Sequence, residues 1–265
     1  MQIKATYPTQ AHADAAETIA AFWADSYPIE AVLLVNSCAR GKATADSCLD
    51  MNVLARPEVL RTELIAWESA WEDFNHTNPL IQKLKTAGRY SVVHLDFTAG
   101  VFETTEQDEA AGPDDFELGI GNLLAYSVVL RQKGDYLDQL KVQWLPFYSE
   151  ALRQQRLPQV RFFCLNNLHH IPLFIERGLY FQAFDRLYNA YQEFLQALFI
   201  SRRTYPIAYN KWIQEQMEEL LHLPELYEQI VSLFEIRNFE SEEILDKAQQ
   251  VEHLLDEYAP AEGML

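Results

Sequence analysis

Basic side chains are scarce in this chain of 265 residues: 21 Lys and Arg stand against 39 Asp and Glu, a formal charge of −18. Nucleic-acid binders concentrate Lys and Arg on one face to displace counterions from phosphates. No dense basic block occurs, so no nucleic-acid partner is expected. Long apolar runs are missing too. None approaches the ~18–20 residues that cross a bilayer, and no membrane association is expected. The N-terminus, Met1-Gln2-Ile3-Lys4, lacks the basic n-region and apolar h-region of a secretory signal, which makes a cytoplasmic location the expectation. Cysteine is sparse. Cys38, Cys48 and Cys164 cannot all pair within one chain and show no C-x-x-C spacing, so they read as reduced thiols. Internal repeats and low-complexity linkers are likewise absent.

What is present is an apolar share of 49%, ample for a buried core. At about 150 residues per domain the length allows one large domain or two modest ones. The surplus acid keeps the surface solvated and suits a neutral or cationic small substrate better than a polyanion.

The first half alternates helix-like and strand-like stretches. Ile19, Phe22 and Trp23 give Asp14–Trp23 a helical spacing, closed by Pro28. The run from Ile29 to Val35 suits a buried strand, and Leu49 to Ala55 alternates like a second. Pro57 fits the first turn of a helix reaching about Asn75. Tyr90 to Glu103 is β-rich, one strand or two with a bend at Gly100. An acidic loop follows, with Glu106, Asp108, Glu109, Asp114 and Asp115 around Gly112-Pro113. Phe116 to Ala125 reads equally as an edge strand or the start of a helix. From about Gln132 the texture is helical: a helix around Tyr136 and Leu140 ending near Pro146, then Val160–Leu168 and Leu173–Tyr180. Phe184, Leu187, Tyr188, Tyr191, Phe194, Leu195 and Leu198 recur at intervals of three and four. Helices are also expected over Tyr209–Leu221, Pro224–Phe234 and Ser241–Tyr258. His169-His170 has no further ligand at zinc spacing and reads as a helix end.

The chemistry-bearing stretch is Val32 to Leu54: strand, a turn rich in small residues, then a strand that a carboxylate enters. This layout can offer backbone N–H groups and a hydroxyl to a triphosphate while nearby acids hold Mg²⁺. The Gly-x4-Gly-Lys-Ser/Thr spacing of a P-loop is absent.

On these residues the chain resembles the nucleotidyltransferase superfamily of the DNA polymerase β type, more narrowly the bacterial small-molecule enzymes such as aminoglycoside and lincosamide nucleotidyltransferases. Asn36-Ser37 stands where that family has Gly-Ser, Ala39-Arg40-Gly41 follows, and Cys48-Leu49-Asp50 occupies the Asp-x-Asp position. Asp96, in Val92 to Phe97, takes the place of the third carboxylate. The likeness spans roughly residues 29–100, and the helical half, notably Ser201 to Trp212, looks like the family's C-terminal domain. The resemblance implies an α+β fold: an α/β nucleotidyltransferase domain with a small mixed sheet over 1–130, and an all-α helical bundle over 131–265. It implies transfer of a nucleoside monophosphate from an NTP, with ATP as the expected nucleotide, to a hydroxyl of a small-molecule acceptor. Asp50 and Asp96 would be the catalytic and metal-holding carboxylates for Mg²⁺ or Mn²⁺. Asn36, Ser37, Arg40 and Lys211 would bind the nucleotide, with Arg202 and Arg203 as further phosphate candidates and Glu117 as a candidate base.

Two departures bear on activity. Carboxylates two residues apart share one strand face, and Cys48 puts sulfur on it, a poor ligand for hard Mg²⁺. Asp46 is on the same face if the strand stays extended, but about 13 Å from Asp50. Asn36 tolerates positive φ less freely than Gly. The alternative is therefore an inactive homologue that binds a nucleotide, another ligand or a partner protein. Ser37 reads as a phosphate donor or a helix cap, and His94 as a proton carrier or an ordinary strand residue.

Overall fold

The computed structural model describes residues 5–104 and 111–261. Two units divide the chain. The first runs up to Glu103 and resumes over Gly119–Leu145; the second takes Thr104–Leu118 and the chain from Pro146 onward. The architecture is α+β, as expected: a small mixed sheet in the first unit, helices in the second.

In the sheet unit, α1 (Gln10–Ser26) starts at Thr9, whose side chain accepts the His12 amide hydrogen bond. Then come β1 (Ala31–Leu34), the four-residue α2 (Asn36–Ala39) and β2 (Leu49–Leu54). Pro57 opens α3 (Pro57–Thr77), where a missing N–H costs nothing, and Asn78 caps α4 (Pro79–Leu84). β3 (Val93–Thr98) and β4 (Val128–Gln132) complete a sheet of order β3-β2-β1-β4. β1 runs antiparallel to β2 and β4, whereas β2 and β3 are parallel. Along β2 and β3 the side chains alternate. Leu49, Met51, Val53 and Val93 join Ile19, Trp23, Trp67, Ile81 and Leu84 in one buried core. Trp23 packs 5.0 Å from Phe97 and 5.7 Å from Trp67, ring centre to ring centre. Each large side chain buried there contributes about 1.5–3 kcal/mol. The opposite face is left to Asp50, Asn52, His94 and Asp96. The unit closes with α6 (Tyr136–Trp144), whose Leu140 lies against Gly100 so closely that a Cβ there would stand 2.4 Å from its Cδ1.

The segment 116–125 is helical: α5 (Phe116–Ile120) passes straight into a π-helical turn at Gly121–Ala125. The helical unit is then built on α7 (Glu150–Glu176) and α8 (Tyr180–Ser201). Leu187, Phe194 and Leu198 of the recurring stripe meet Leu157, Val160, Leu168 and Ile171 in a single core. The two helices read from Val160–Leu168 and Leu173–Tyr180 are one, with Pro158 and Pro172 inside it. Each interior proline costs roughly 3 kcal/mol, and burial of the α7 apolar side chains against α8 outweighs that. Tyr209–Leu221 is helical only from α9 (Ile213–Glu215) through a π-helical turn at Gln216–Leu220. Buried Gln216 explains the shortfall: its side chain accepts from the Ile207 amide at 2.7 Å and donates to the Ala208 carbonyl at 2.7 Å. A folded-back strap thus replaces about one helical turn. α10 (Pro224–Leu233) and α11 (Glu243–Tyr258) follow, the latter preceded by Ser241, whose hydroxyl accepts the Glu243 amide. Among the described residues no helix is long and apolar enough to cross a membrane.

Glu193 of α8 is buried in that core, with Oε2 accepting from Asn167 at 2.8 Å. Burial pushes its carboxyl up to about 8, against the lowering effect of the Asn167 hydrogen bond. The folded chain therefore holds this proton more tightly than the unfolded chain, whose carboxyl has a pKa of about 4.3. Its stabilising contribution is complete below that value and is lost as pH rises through about 8. Thermal unfolding followed by circular dichroism is expected to show a midpoint that declines from about pH 5 to pH 8, and Glu193→Gln to flatten the decline. An equally steep decline in the variant would assign it to other groups.

Candidate functional site

The turn after β1 begins with a left-handed residue. Asn36 takes φ +56°, a region that Asn enters at lower cost than other residues bearing a Cβ. The chain then turns through α2, where the Arg40 amide donates to the Asn36 carbonyl and that of Lys42 to Ser37 at 2.9 Å. Gly41, at φ +72°, releases it toward β2. Asn36, Ser37 and Arg40 are each partly exposed on this turn.

The loop entering β2 is tied down from two sides. On the α1 side, buried His12 contacts the Ser47 carbonyl through Nε2 at 3.0 Å and the Thr9 hydroxyl through Nδ1 at 2.8 Å. A carbonyl only accepts, so Nε2 carries the proton and Nδ1 receives that of the hydroxyl. On the other side the Ser91 hydroxyl donates to the Ala45 carbonyl at 2.6 Å, and the Arg89 amide donates to Asp46 Oδ1 at 2.8 Å. Gly88 permits this approach, since a Cβ there would lie 2.3 Å from the Ala45 oxygen. Asp46 is thereby tied into the loop through Oδ1. The buried Cys38 thiol donates to the Cys48 carbonyl at 3.7 Å, closing the loop from beneath.

Clamped in this way, Cys48 stands beside Asp50. Its thiol donates to Asp50 Oδ2 at 3.2 Å. The parallel register pairs Asp50 with His94, and His94 Nδ1 lies 3.2 Å from Asp50 Oδ1. One ligand atom from each of Cys48, Asp50 and His94 falls within 4.8 Å of the others. Asp50 is buried, Cys48 half-buried, and the His94 side chain 62% exposed. Asp96 is one pair further along, opposite Asn52 and exposed, and is not in that group. Asn52, the β2 partner of Asp96 in that register, has a buried side-chain oxygen with no hydrogen-bond partner.

The sequence reading named Asp50 and noted Cys48 as the altered ligand position, and the structure brings both together. His94, read from the sequence as a proton carrier or an ordinary strand residue, is the β3 side chain grouped with them, and Asp96 is not. The pairing of His94 with Asp50 follows from the strand register, which no local signal in the sequence encodes. Lys211 lies in the helical unit, exposed and just before α9. Arg203 binds Glu150 Oε2 at 3.0 Å, an ordinary ion pair.

Glu117 requires correction as a candidate base. It is fully buried in the helical unit, where Arg156 donates to it at 2.8 Å and to Asp114 at 2.7 Å. Gln196 donates to both carboxylates at 2.7 Å, and the Tyr148 hydroxyl donates to Glu117 at 2.9 Å. Burial opposes the guanidinium charge, but the Glu117 and Asp114 carboxylates outweigh it and raise the Arg156 pKa. A carboxylate so satisfied takes no proton from a substrate. Asp114, expected in a solvated acidic loop, is part of the same buried network; Glu106, Asp108 and Glu109 lie outside the described residues.

No protein-family model matches this sequence, and no curated protein matches it. Among solved structures, a nucleotidyltransferase-like protein from Exiguobacterium sibiricum is similar at 16% identity and a TM-score of 0.44, over 92% of this chain and 74% of that one. At that distance the likeness decides neither fold nor chemistry.

The three thiols differ in accessibility. Cys38 and Cys164 are buried and Cys48 is not. Burial, then the charges of Asp50 and Cys48, pushes Cys38 up to about 12, and burial raises Cys164 well above its ordinary value. Thiolates react and thiols do not. Native protein is expected to yield one fast equivalent with a chromogenic disulfide reagent, and Cys48→Ser to abolish it. Two fast equivalents, or one surviving in the variant, would contradict the assignment.

Proposed function

We propose that this chain is a nucleotidyltransferase-like protein whose sheet unit binds the phosphate tail of a nucleoside triphosphate at the turn after β1, and that it is a poor catalyst of nucleotidyl transfer. The reading is carried by one observation: a left-handed turn bearing Ser37 and Arg40 leads into a strand that sets a single buried carboxylate, Asp50, between a thiol and an imidazole. The motif order along the chain supports the family, and the small mixed sheet is the architecture that order implies. On this reading the Ser37 hydroxyl and the planar fork of Arg40 hold phosphate oxygens.

The resemblance brings with it two Mg²⁺ ions between three carboxylates. The donor set here is a different one: one clustered carboxylate, one sulfur and one nitrogen. Mg²⁺ takes oxygen ligands in near-octahedral order, so we derive no transfer step through it. Transfer would require an acceptor oxygen to attack the α-phosphorus while the bond to the leaving pyrophosphate breaks. The charge gathering on that pyrophosphate has little to offset it at such a site, and loss of one such stabilising group costs about 10²–10³ in rate.

Calorimetric titration with ATP and a non-hydrolysable analogue tests the reading. Binding by the wild-type chain is expected, with Ser37→Ala and Arg40→Ala each weakening it about tenfold, the scale of a charge-assisted hydrogen bond. Cys48→Asp is expected to raise Mg²⁺-dependent pyrophosphate release by at least about a hundredfold given an acceptor hydroxyl. If neither wild type nor Cys48→Asp binds any nucleoside triphosphate, the reading is wrong.

A further inference from the structure

We propose that Cys48, Asp50 and His94 form a binding site for a single zinc-class divalent cation with one coordination position left open. The inference rests on the ligand atoms alone and not on nucleotide binding.

The donor types come first. Thiolate and imidazole are the ligands of zinc and its neighbours, and carboxylate completes a mixed set that a hard ion such as Mg²⁺ does not prefer. Charge points the same way. A Cys48 thiolate and the Asp50 carboxylate supply two negative charges, cancelling those of a divalent ion at a half-buried site where uncompensated charge is costly. In the metal-free chain the thiol proton sits between Cys48 and Asp50, 3.2 Å apart. A cation entering there takes the place of that proton, which leaves to solvent.

The geometry is close to what such an ion needs. Bonds of about 2.3 Å to sulfur and 2.0–2.2 Å to nitrogen and oxygen separate the ligand atoms of a tetrahedron by roughly 3.3–3.6 Å. Two separations here are 3.2 Å, to the two different oxygens of Asp50: Oδ2 to Cys48 Sγ and Oδ1 to His94 Nδ1, so a turn of the carboxylate brings one oxygen to an ion shared with both. All three ligand atoms lie within 4.8 Å of one another, so the remaining adjustment is one of side-chain torsions. The backbone is already fixed: Asp50 and His94 are paired on adjacent parallel strands, and the loop bearing Cys48 is held through Ser47, Ala45 and Asp46. The exposed His94 side gives the ion its way in. Three protein ligands on a tetrahedral ion leave the fourth place to water or to an oxygen of a bound molecule, the arrangement of reactive rather than structural sites.

The test uses the full chain, stripped with a chelator and free of nucleotide, with Co²⁺ as the spectroscopic stand-in for Zn²⁺. One equivalent of Co²⁺ is expected to give a near-ultraviolet thiolate-to-metal band and intense visible bands of four-coordination. Zn²⁺ should erase both by competition and shield Cys48 from the disulfide reagent, whereas a large excess of Mg²⁺ should do neither. Cys48→Ser is expected to lose the thiolate band. That variant and His94→Ala should each bind Co²⁺ at least about tenfold more weakly, the scale on which even an indirect partner of a metal ligand acts. His169→Ala, on an exposed part of α7, is expected to keep the full spectrum. Cys48→Asp, isolated in the same way, should exchange the thiolate band for tighter Mn²⁺ binding, which keeps the test decisive if the other variants fold poorly. Absence of the thiolate band in wild type, its persistence in Cys48→Ser, or displacement of Co²⁺ by Mg²⁺ would overturn the proposal. Nucleotide titrations on the stripped protein are read separately, so failure of either reading leaves the other standing.

Discussion

The parallel pairing of β2 with β3 governs everything at the candidate site. It sets Leu49 against Val93 and therefore Asp50 against His94. A slip of one residue would turn His94 and Asp96 into the core and bring Leu95 to the surface. The apolar alternation resists that slip, because Val93, Leu95 and Phe97 all pack toward the Trp23–Trp67 cluster. The energy that fixes the chemical face is thus spent on the opposite one, where several large side chains are buried. A site built this way needs no contact of its own to keep its register.

Cys48 lies just outside that protection, at the mouth of β2, and its position depends on polar ties instead. His12 reaches it from α1 through Ser47, and Ser91 and Arg89 reach it from the approach to β3 through Ala45 and Asp46. Each such bond is modest alone, about 0.5–1.5 kcal/mol. Together they convert a loop of small polar residues into a rigid rim. The same ties anchor Asp46 in the loop, where its Oδ1 accepts the Arg89 amide.

How far the sequence discloses this depends on whether the signal is local. The turn after the first strand, the strand at Leu49–Leu54 and the helix beginning near Ser241 were legible, because each follows from residues within a few positions. The acid at Asp50 was legible for the same reason, being a carboxylate in an apolar strand. His94 stood out as a proton carrier or an ordinary strand residue, but its pairing with Asp50 did not, since that comes from a register between strands some forty residues apart. Glu117 reads as a candidate base and Asp114 as a solvated acid until the chain brings Arg156 and Gln196 to them from two distant helices. Pro158 and Pro172 break the helical pattern locally, yet the burial of α7 against α8 carries the helix through both. In each case a long-range contact overruled a correct local preference.

The chain's net charge connects the two proposals. A triphosphate approaching a protein of charge −18 meets an unfavourable field, and Arg40 and Lys42 on the turn offset only part of it. The Asp50 carboxylate adds to that repulsion as long as the neighbouring thiol keeps its proton. A divalent ion changes the local balance: with Cys48 ionised the site becomes neutral, and its open coordination position can take a phosphate oxygen directly. Cation and nucleotide would then favour each other, and by linkage each would tighten the other by the same factor. The substitution that weakens two-metal catalysis is on this account what lets a single softer ion recruit the anionic ligand, so that Cys48 defines a different use of the scaffold and not merely the loss of the first.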